Sequence, residues 1–383
     1  MIKILHVTKY YPPYIGGTES LAHDTCAALK DDYEQKVFAF NDGKETIEEV
    51  YDGIDVIRVG VWKVIASQPI AKGYYKKLRD TILSFKPDVI HFDYPNPFAA
   101  HYLLKAIKKT KWKGKFILFW VMDIIKQKSI ERLFRHQTIK LLDMAETVQM
   151  LSPVYNKDTS YLPFYEKRYR VLAPRVGDSR MTVTEGQKEE AKLIKEKYPG
   201  KFLCFFFGRH VPYKGLHYLI EANKHLDRSK VQIVIGGRGP LTDSLKKEAE
   251  QYDNIEFVGR LSDDQVNAYL LACDAFAFPS ITRNEAYGIS LAEALYFGKP
   301  GLTFTIKGSG VNWVSPNGVT GLEAPNCDAE AYAKNIARLA SDAALYEKLS
   351  KNAFQRAHEL YSLEAFVKSA KDIYQELLED TNQ

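Results

Sequence analysis

The sequence predicts an α/β protein made of two doubly wound domains, each a parallel sheet with helices on both faces. Three observations carry this. The chain has 383 residues, and domains run to ~100–200 residues each. Its short apolar runs are continuous rather than alternating, the mark of strands covered on both faces. The strand-and-helix pattern breaks near residue 172 and then starts again, which suggests two such domains facing each other across a cleft.

In the first half the strand candidates are KILHVT (3–8), KVFAF (36–40), DVIRVG (55–60), DVIHF (88–92), KFILFWV (115–121) and TVQML (147–151). Helix candidates between them include 19–30 and 97–110. Residues 172–187 are polar and interrupted by Gly and Pro, so they read as a linker. The second half supplies FLCFFF (202–207), VQIVIGG (231–237), IEFVG (255–259), DAFAFP (274–279) and PGLTFT (300–305), each followed by a helical stretch. The expected domains are 1–172 and 175–360, with the last helix, about 361–383, packing back on the first.

Composition narrows the function classes. Hydrophobic residues are 45% and charged residues 26%, the balance of a folded chain and not of a disordered one. The longest unbroken apolar run is Phe116 to Met122, whereas a membrane span takes ~20 residues. The N-terminal apolar stretch breaks at His6 with no small-residue cleavage site after it, so no signal peptide is expected. Cys26, Cys204, Cys273 and Cys327 are scattered with no CxxC pair. That argues against a disulfide framework and a Cys-based zinc site. A cytoplasmic protein is expected. The formal charge of +5 is too mild to suggest nucleic-acid binding.

The chemistry-bearing signals stand at strand ends. Gly16 and Gly17 follow the first strand and precede a helix, where backbone can approach a ligand and a helix N-terminus favours an anion. The full dinucleotide fingerprint of spaced glycines is absent. In the second half, Gly208 and Arg209 follow the first strand, and Lys214 and Gly215 precede the next helix. Arg offers a planar fork for phosphate oxygens and Lys a point charge. A further Gly-rich turn, IGGRGP (235–240), contains Gly239. In PSITRNEAYGISLAEALYFGKP (279–300), Glu285 and Glu293 stand eight residues apart with Gly288 between them. Gly288 breaks the chain before an apolar helix. Glu285 then sits in the loop, Glu293 in the helix's second turn, and the N–H groups of Ile289 and Ser290 at its positive end.

This carboxylate pair within NEAYGISLAEALYFGKP resembles the signature of glycosyltransferase family 4, enzymes of the GT-B fold that use nucleotide-diphosphate sugars with retention. The resemblance extends along nearly the whole chain, through KYYPPYIGGTES, DVIHFDYPNP, FFGRHVPYKG and the stretch from IEFVGRLSDDQ to GVNWVSPNGVTG. It implies that Arg209 and Lys214 bind the diphosphate and stabilise it as it leaves. Glu285 would hold hydroxyls of the hexose and Glu293 those of the ribose. Gly16 and Gly17 would close on the diphosphate and acceptor. Arg260 would lie beside the base, and Gly208, Gly239, Tyr287, Gly288, Ile289 and Ser290 would complete the donor site. Asp123 would be catalytic. No bound metal and no other cofactor is implied, and no nucleophilic carboxylate is required.

One departure matters. Related members often read T-W-H-S-D after the fifth strand, and here Val121 replaces the His. His91 and His210 are candidates to serve instead, each with a bland structural alternative. The charge is also uneven. Residues 101–140 hold eleven Lys and Arg against two acids, a local +9 that exceeds the chain's +5. With Trp112, Phe116, Leu133 and Phe134 interleaved, this segment suits an anionic membrane surface or lipid diphosphate. The expected function is hexosyl transfer from GDP-mannose or a UDP-hexose to a glycan acceptor, polyprenyl-diphosphate-linked, in surface polysaccharide synthesis. The alternatives are a catalytically impaired nucleotide-sugar binder and a GT-B nucleotide-sugar epimerase.

Overall fold

The computed structural model describes residues 1–14, 16–65, 68–121, 128–154, 168–176 and 181–379, with 128–133 described by backbone alone. The chain divides into two compact units, Met1–Leu172 with Phe366–Gln383, and Ala173–Ala365.

The strands of the first unit are β1 (Lys3–Val7), β2 (Glu34–Phe40), β3 (Ile47–Tyr51), β4 (Ile54–Val59), β5 (Lys63–Ile65), β6 (Gln68–Ile70), β7 (Val89–Tyr94), β8 (Lys115–Trp120), β9 (Thr147–Met150) and β10 (Tyr169–Val171). Eight of them form one sheet in the order β10-β9-β8-β7-β1-β2-β4-β3. Every pairing in it is parallel except that of β3, which runs antiparallel to β4 at the edge. β5 and β6 form a separate antiparallel hairpin. The central strands are buried on both faces: Phe116 through Trp120 of β8 are all inside. That is why their sequences are unbroken apolar runs. The helix Pro97–Thr110 starts on Asn96, whose side-chain oxygen accepts from the Ala99 N–H at 3.4 Å, and has Pro at its first position.

The C-terminal helix, Leu363–Glu379, turns Phe366, Ala370, Ile373, Tyr374 and Leu377 inward, the spacing of one helix face. From Phe366 onward it belongs to the first unit. The Tyr374 hydroxyl meets His91 Nδ1 at 2.5 Å, and Lys371 pairs with Asp32 at 2.8 Å.

The second unit holds β11 (Phe202–Phe207), β12 (Val231–Gly236), β13 (Ile255–Gly259), β14 (Ala275–Phe278), β15 (Gly301–Phe304) and β16 (Gly321–Ala324). They form one wholly parallel sheet in the order β13-β12-β11-β14-β15-β16. Capping boxes start two of its helices: Thr184 with Gln187 opens Glu185–Lys197, and Ser262 with Gln265 opens Asp263–Ala272. The segment expected as a linker contains the unit boundary, with a helix beginning at Glu185. The strands absent from the sequence reading are β3, β5, β6, β10 and β16. All are short, and β3, β10 and β16 lie at sheet edges; β3 and β10 are not buried as the central strands are, and β16, GLEA, has no continuous apolar run.

Two histidines are buried side by side on β1 and β7, with His6 and His91 rings 5.2 Å apart. His6 Nε2 donates to Gln35 Oε1 at 2.9 Å. Burial first, and the neighbouring His91 second, push the His6 imidazole down from 6.5 to about 3, against the opposing effect of Gln35. Unfolded chains take up a proton at this site below pH 6.5, and the folded chain refuses it until about pH 3. Stability therefore falls as pH drops through that window, by ~1.4 kcal/mol per pH unit from this residue. We predict that His6→Asn flattens this acid limb. Urea unfolding of both proteins between pH 7 and pH 4 measures it, and parallel limbs would refute the assignment.

Candidate functional site

In a doubly wound sheet, ligands bind beyond the carboxyl ends of the two adjacent strands whose connections run in opposite directions. In the second unit those strands are β11 and β14. The chain leaves β11 toward β12 and β13 on one side, and leaves β14 toward β15 and β16 on the other. The loops after β11 and β14 carry the residues that the sequence singled out.

After β11, Gly208 takes a φ of +154° and Arg209 is exposed, with Nη2 donating to the Tyr213 hydroxyl at 3.2 Å. A single 3-10 turn, Pro212–Lys214, ends at Gly215 in the left-handed region with φ +61°. Gly215 is required there twice over. Its φ suits glycine, and a Cβ would stand 2.2 Å from the Pro279 carbonyl oxygen. The contact locks the loop after β11 against the loop after β14, with the Ile281 N–H donating to the Tyr213 carbonyl at 3.0 Å.

That contact brings Lys214 onto Glu285. The ammonium lies 2.5 Å from Glu285 Oε2, with side chains only 10% and 12% exposed. Lys214 Nζ also lies over the Phe278 ring at 4.6 Å. The Ser280 hydroxyl donates to Glu285 Oε2 at 3.3 Å, the Glu285 N–H donates to the Thr282 carbonyl at 3.0 Å, and the Ser309 hydroxyl donates to the Glu285 carbonyl. The carboxylate thus has a fixed backbone, one cation and one hydroxyl. An ammonium and a carboxylate at this place offer a donor to an anionic oxygen and an acceptor to a sugar hydroxyl.

Gly288, at φ +97°, precedes the helix Ile289–Tyr296. The first N–H groups of a helix have no carbonyl partner within it, and here they belong to Ile289, which is exposed, and Ser290, which is half-buried. Glu293 follows one turn on, buried. Tyr287, expected in the donor site, has its side chain turned inward. Its ring is 3% exposed and packs near Trp313 and Tyr361, with centroids 6.2 and 6.0 Å away. It supports the loop from inside.

The Gly-rich turn after β12 packs directly on the loop after β11. A Cβ on Gly239 would stand 2.4 Å from the His210 carbonyl oxygen, and one on Gly237 would stand 1.9 Å from that of Gly208. Gly239 is therefore glycine for loop-on-loop packing. His210 is fully buried in the same seam, with Nδ1 2.9 Å from Thr242 Oγ1 and Nε2 3.3 Å from the Gly236 carbonyl. Burial lowers its pKa. Arg260 follows β13, exposed. Sequence reasoning missed Arg238, which follows β12, is exposed, and reaches toward Gly259, where a Cβ would lie 3.8 Å from its Nη2. The signal was available: an Arg inside a Gly-rich turn at a strand end, as with Arg209. Arg209, Arg238 and Arg260 follow three adjacent strands.

In the first unit the corresponding strands are β1 and β7. Gly16 and Gly17 open the helix Gly17–Leu29 after β1. The anion at this helix start is the protein's own. Glu19, buried, folds back so that Oε2 would lie 2.1 Å from a Cβ on Gly16, and it accepts from the Thr18 hydroxyl at 2.8 Å. Sequence reasoning missed Glu19; an acid in the first helical turn was the available signal. Beside it is a cavity of about 180 Å³ bordered by Tyr10, Tyr14, Asp42 and Arg58, where Tyr10 and Tyr14 stack at 4.3 Å. Val121 is buried at the end of β8, its N–H donating to the Tyr94 carbonyl at 3.0 Å. His91 sits inside β7 on Tyr374, so both candidate replacement histidines occupy packing positions. Asp123 lies outside the described residues.

The family model described as Glycosyltransferase Family 4 matches residues 15–118, and that described as Glycosyl transferases group 1 matches residues 187–356. The O-antigen chain mannosyltransferase C of Escherichia coli is 27% identical over 382 residues, covering 99% of both chains. The D-rhamnosyltransferase WbpZ of Pseudomonas aeruginosa is 27% identical, covering 94% of this chain and 92% of the relative. Among solved structures, Anabaena Alr3699/HepE in complex with UDP has a TM-score of 0.78 at 18% identity, covering 99% of this chain and 100% of that one. With one family model on each unit, relatives aligned from end to end and the fold shared, the chain belongs to the family 4 glycosyltransferases of the GT-B fold.

Proposed function

We propose that this glycosyltransferase moves a hexose from a nucleotide-diphosphate sugar to a growing surface glycan, with retention at the anomeric carbon. The observation that carries the reading is the Lys214–Glu285 pair where β11 and β14 diverge, flanked by Arg209 and the helix start at Ile289. A mannosyltransferase and a D-rhamnosyltransferase both align along nearly the whole chain. D-Rhamnose is 6-deoxy-mannose, so both names specify a manno-configured sugar. This favours a GDP-mannose type of donor over a UDP-hexose. The acceptor is read as a glycan on a polyprenyl diphosphate, held by the first unit, with the protein working peripherally at the cytoplasmic face of an anionic membrane. Among the described residues no helix is long and apolar enough to cross a membrane.

In this reading Lys214 and Arg209 meet charge that grows on the diphosphate as the glycosidic bond breaks, and the N–H groups of Ile289 and Ser290 add fixed dipoles. Glu285 orients the hexose through its hydroxyls and Glu293 the ribose. Arg238 and Arg260 flank the nucleotide. The leaving charge is met by cations of the chain itself, and we read the reaction as metal-independent. Donor binding must loosen the Lys214–Glu285 contact, because each group then takes a substrate partner.

A second reading has its own observation. Val121 stands where the family pattern that the sequence resembles has a histidine, and His91 and His210 are both held in packing roles. A nucleotide-sugar binder of low turnover would show the same geometry. Thermal shift with nucleotides detects binding under both readings, and only product formation separates them.

Two outcomes are expected. Glu285→Gln removes the counter-charge but keeps the shape and an oxygen that accepts from Lys214, where Glu285→Ala would leave the buried ammonium with neither. Turnover in Glu285→Gln should fall ~10²–10³-fold, the scale for removing one transition-state contact, with nucleotide binding retained. Wild-type turnover would sink the site. Donor hydrolysis across GDP- and UDP-sugars, read by released nucleotide, should favour GDP-mannose and be unchanged by EDTA. A rate abolished by EDTA and restored by a divalent ion would overturn the metal-independent reading.

A further inference from the structure

The hairpin of β5 and β6 has no counterpart in the site just described. It leaves the sheet directly after β4, at the edge where β1 and β7 also end. The Val61 N–H donates to the Gly43 carbonyl and that of Trp62 to the Ile70 carbonyl, both at 2.8 Å. Its side chains are wrong for water. Trp62 is 58% exposed, Val64 54% and Ile65 47%. Successive strand residues point to opposite faces, so Val64 and Ile65 put apolar surface on both. A two-stranded ribbon without a covering layer is marginal in water.

The charges around it favour one occupant. Residues 61–79 hold five Lys and Arg (63, 72, 76, 77 and 79) and no Asp or Glu. Lys63, Lys72 and Lys76 are exposed, and Lys72 Nζ lies 4.6 Å from the Trp62 ring centre. Across the sheet edge, Glu48 and Glu49 are engaged by Lys77 and Arg58. Indole, short aliphatics and ammonium groups together match the boundary between headgroups and acyl chains. Tyr14 and Ile47, both exposed, border the small cavity beside the same edge.

Part of the segment that looked basic in the sequence lies elsewhere. The helix Pro97–Thr110 runs back from the end of β7, so Lys108, Lys109, Lys111 and Lys113 collect at the opposite sheet edge, where β8 begins. A lipid held there would be a sheet's length from Gly16 and Gly17.

We propose that Trp62, Lys63, Val64 and Ile65, with Lys72, dock the first unit on an anionic lipid surface, on the same edge as the acceptor-side glycines. This deepens the reading of a lipid-linked acceptor and rests on it.

The test uses the full chain with phosphatidylcholine vesicles made with and without phosphatidylglycerol. At low salt the wild type should co-float with the anionic vesicles and show a blue shift in tryptophan emission that Trp62→Phe loses. Lys63→Glu with Lys72→Glu, and separately Val64→Ser with Ile65→Ser, should lower partitioning at least tenfold, because each cation near an anionic surface and each buried apolar group contributes. Donor hydrolysis in solution should stay at the wild-type rate in all these variants. Wild-type protein that stays with the buffer overturns the proposal. So do variants that float as the wild type does, and so does a wild-type dimer that the hairpin variants split, since a second copy then covers this face. Loss of donor hydrolysis in the wild type with flotation intact refutes the proposed activity and leaves the surface standing.

Discussion

The buried contact between Lys214 and Glu285 is the interaction on which the loops after β11 and β14 depend. Taking both charges out of water is costly, and their attraction compensates only with good geometry and further hydrogen bonds. The structure supplies both: a 2.5 Å contact, the Ser280 hydroxyl on the carboxylate, and the Phe278 ring beneath the ammonium. Gly215 makes this possible by removing a Cβ from the path of the Pro279 carbonyl. The ammonium and the carboxylate are held together, and in the proposed reading each serves as the other's partner until substrate takes over.

Around that pair the second unit is stiffened by backbone rather than by side chains. The loops after β11 and β12 touch at Gly208, Gly237 and Gly239, and His210 fills the seam between them. A glycine-rich turn here serves close packing first. What faces outward is the row of arginines at 209, 238 and 260. In the proposed reading, packed loops carrying exposed cations suit a charged nucleotide, because the scaffold is ordered before the ligand arrives.

The first unit uses the same sheet geometry differently. At its diverging strands the helix start is already filled by Glu19, and stacked tyrosines border a small cavity. The buried His6 and His91 and the C-terminal helix anchored on Tyr374 secure the middle of the sheet. Three of its exposed apolar groups, Trp62, Val64 and Ile65, lie on the hairpin at the strand ends.

Much of the fold was legible in the chain alone. Continuous apolar runs such as those of β8, β11 and β12 exist because strands covered on both faces admit few polar residues. Their direction placed Arg209, Lys214 and Glu285 at strand ends before any coordinates. Short strands at edges, such as β3 and β16, lacked that signature. Strand order was also beyond the sequence. That β11 lies beside β14, and β1 beside β7, decided where each site forms. The engagement of Lys214 with Glu285 and the separation of the lysines of 108–113 from the edge where β1 and β7 end follow from it. Local chemistry is written residue by residue, whereas contacts between distant segments are set by packing, and packing acts on the whole sheet at once.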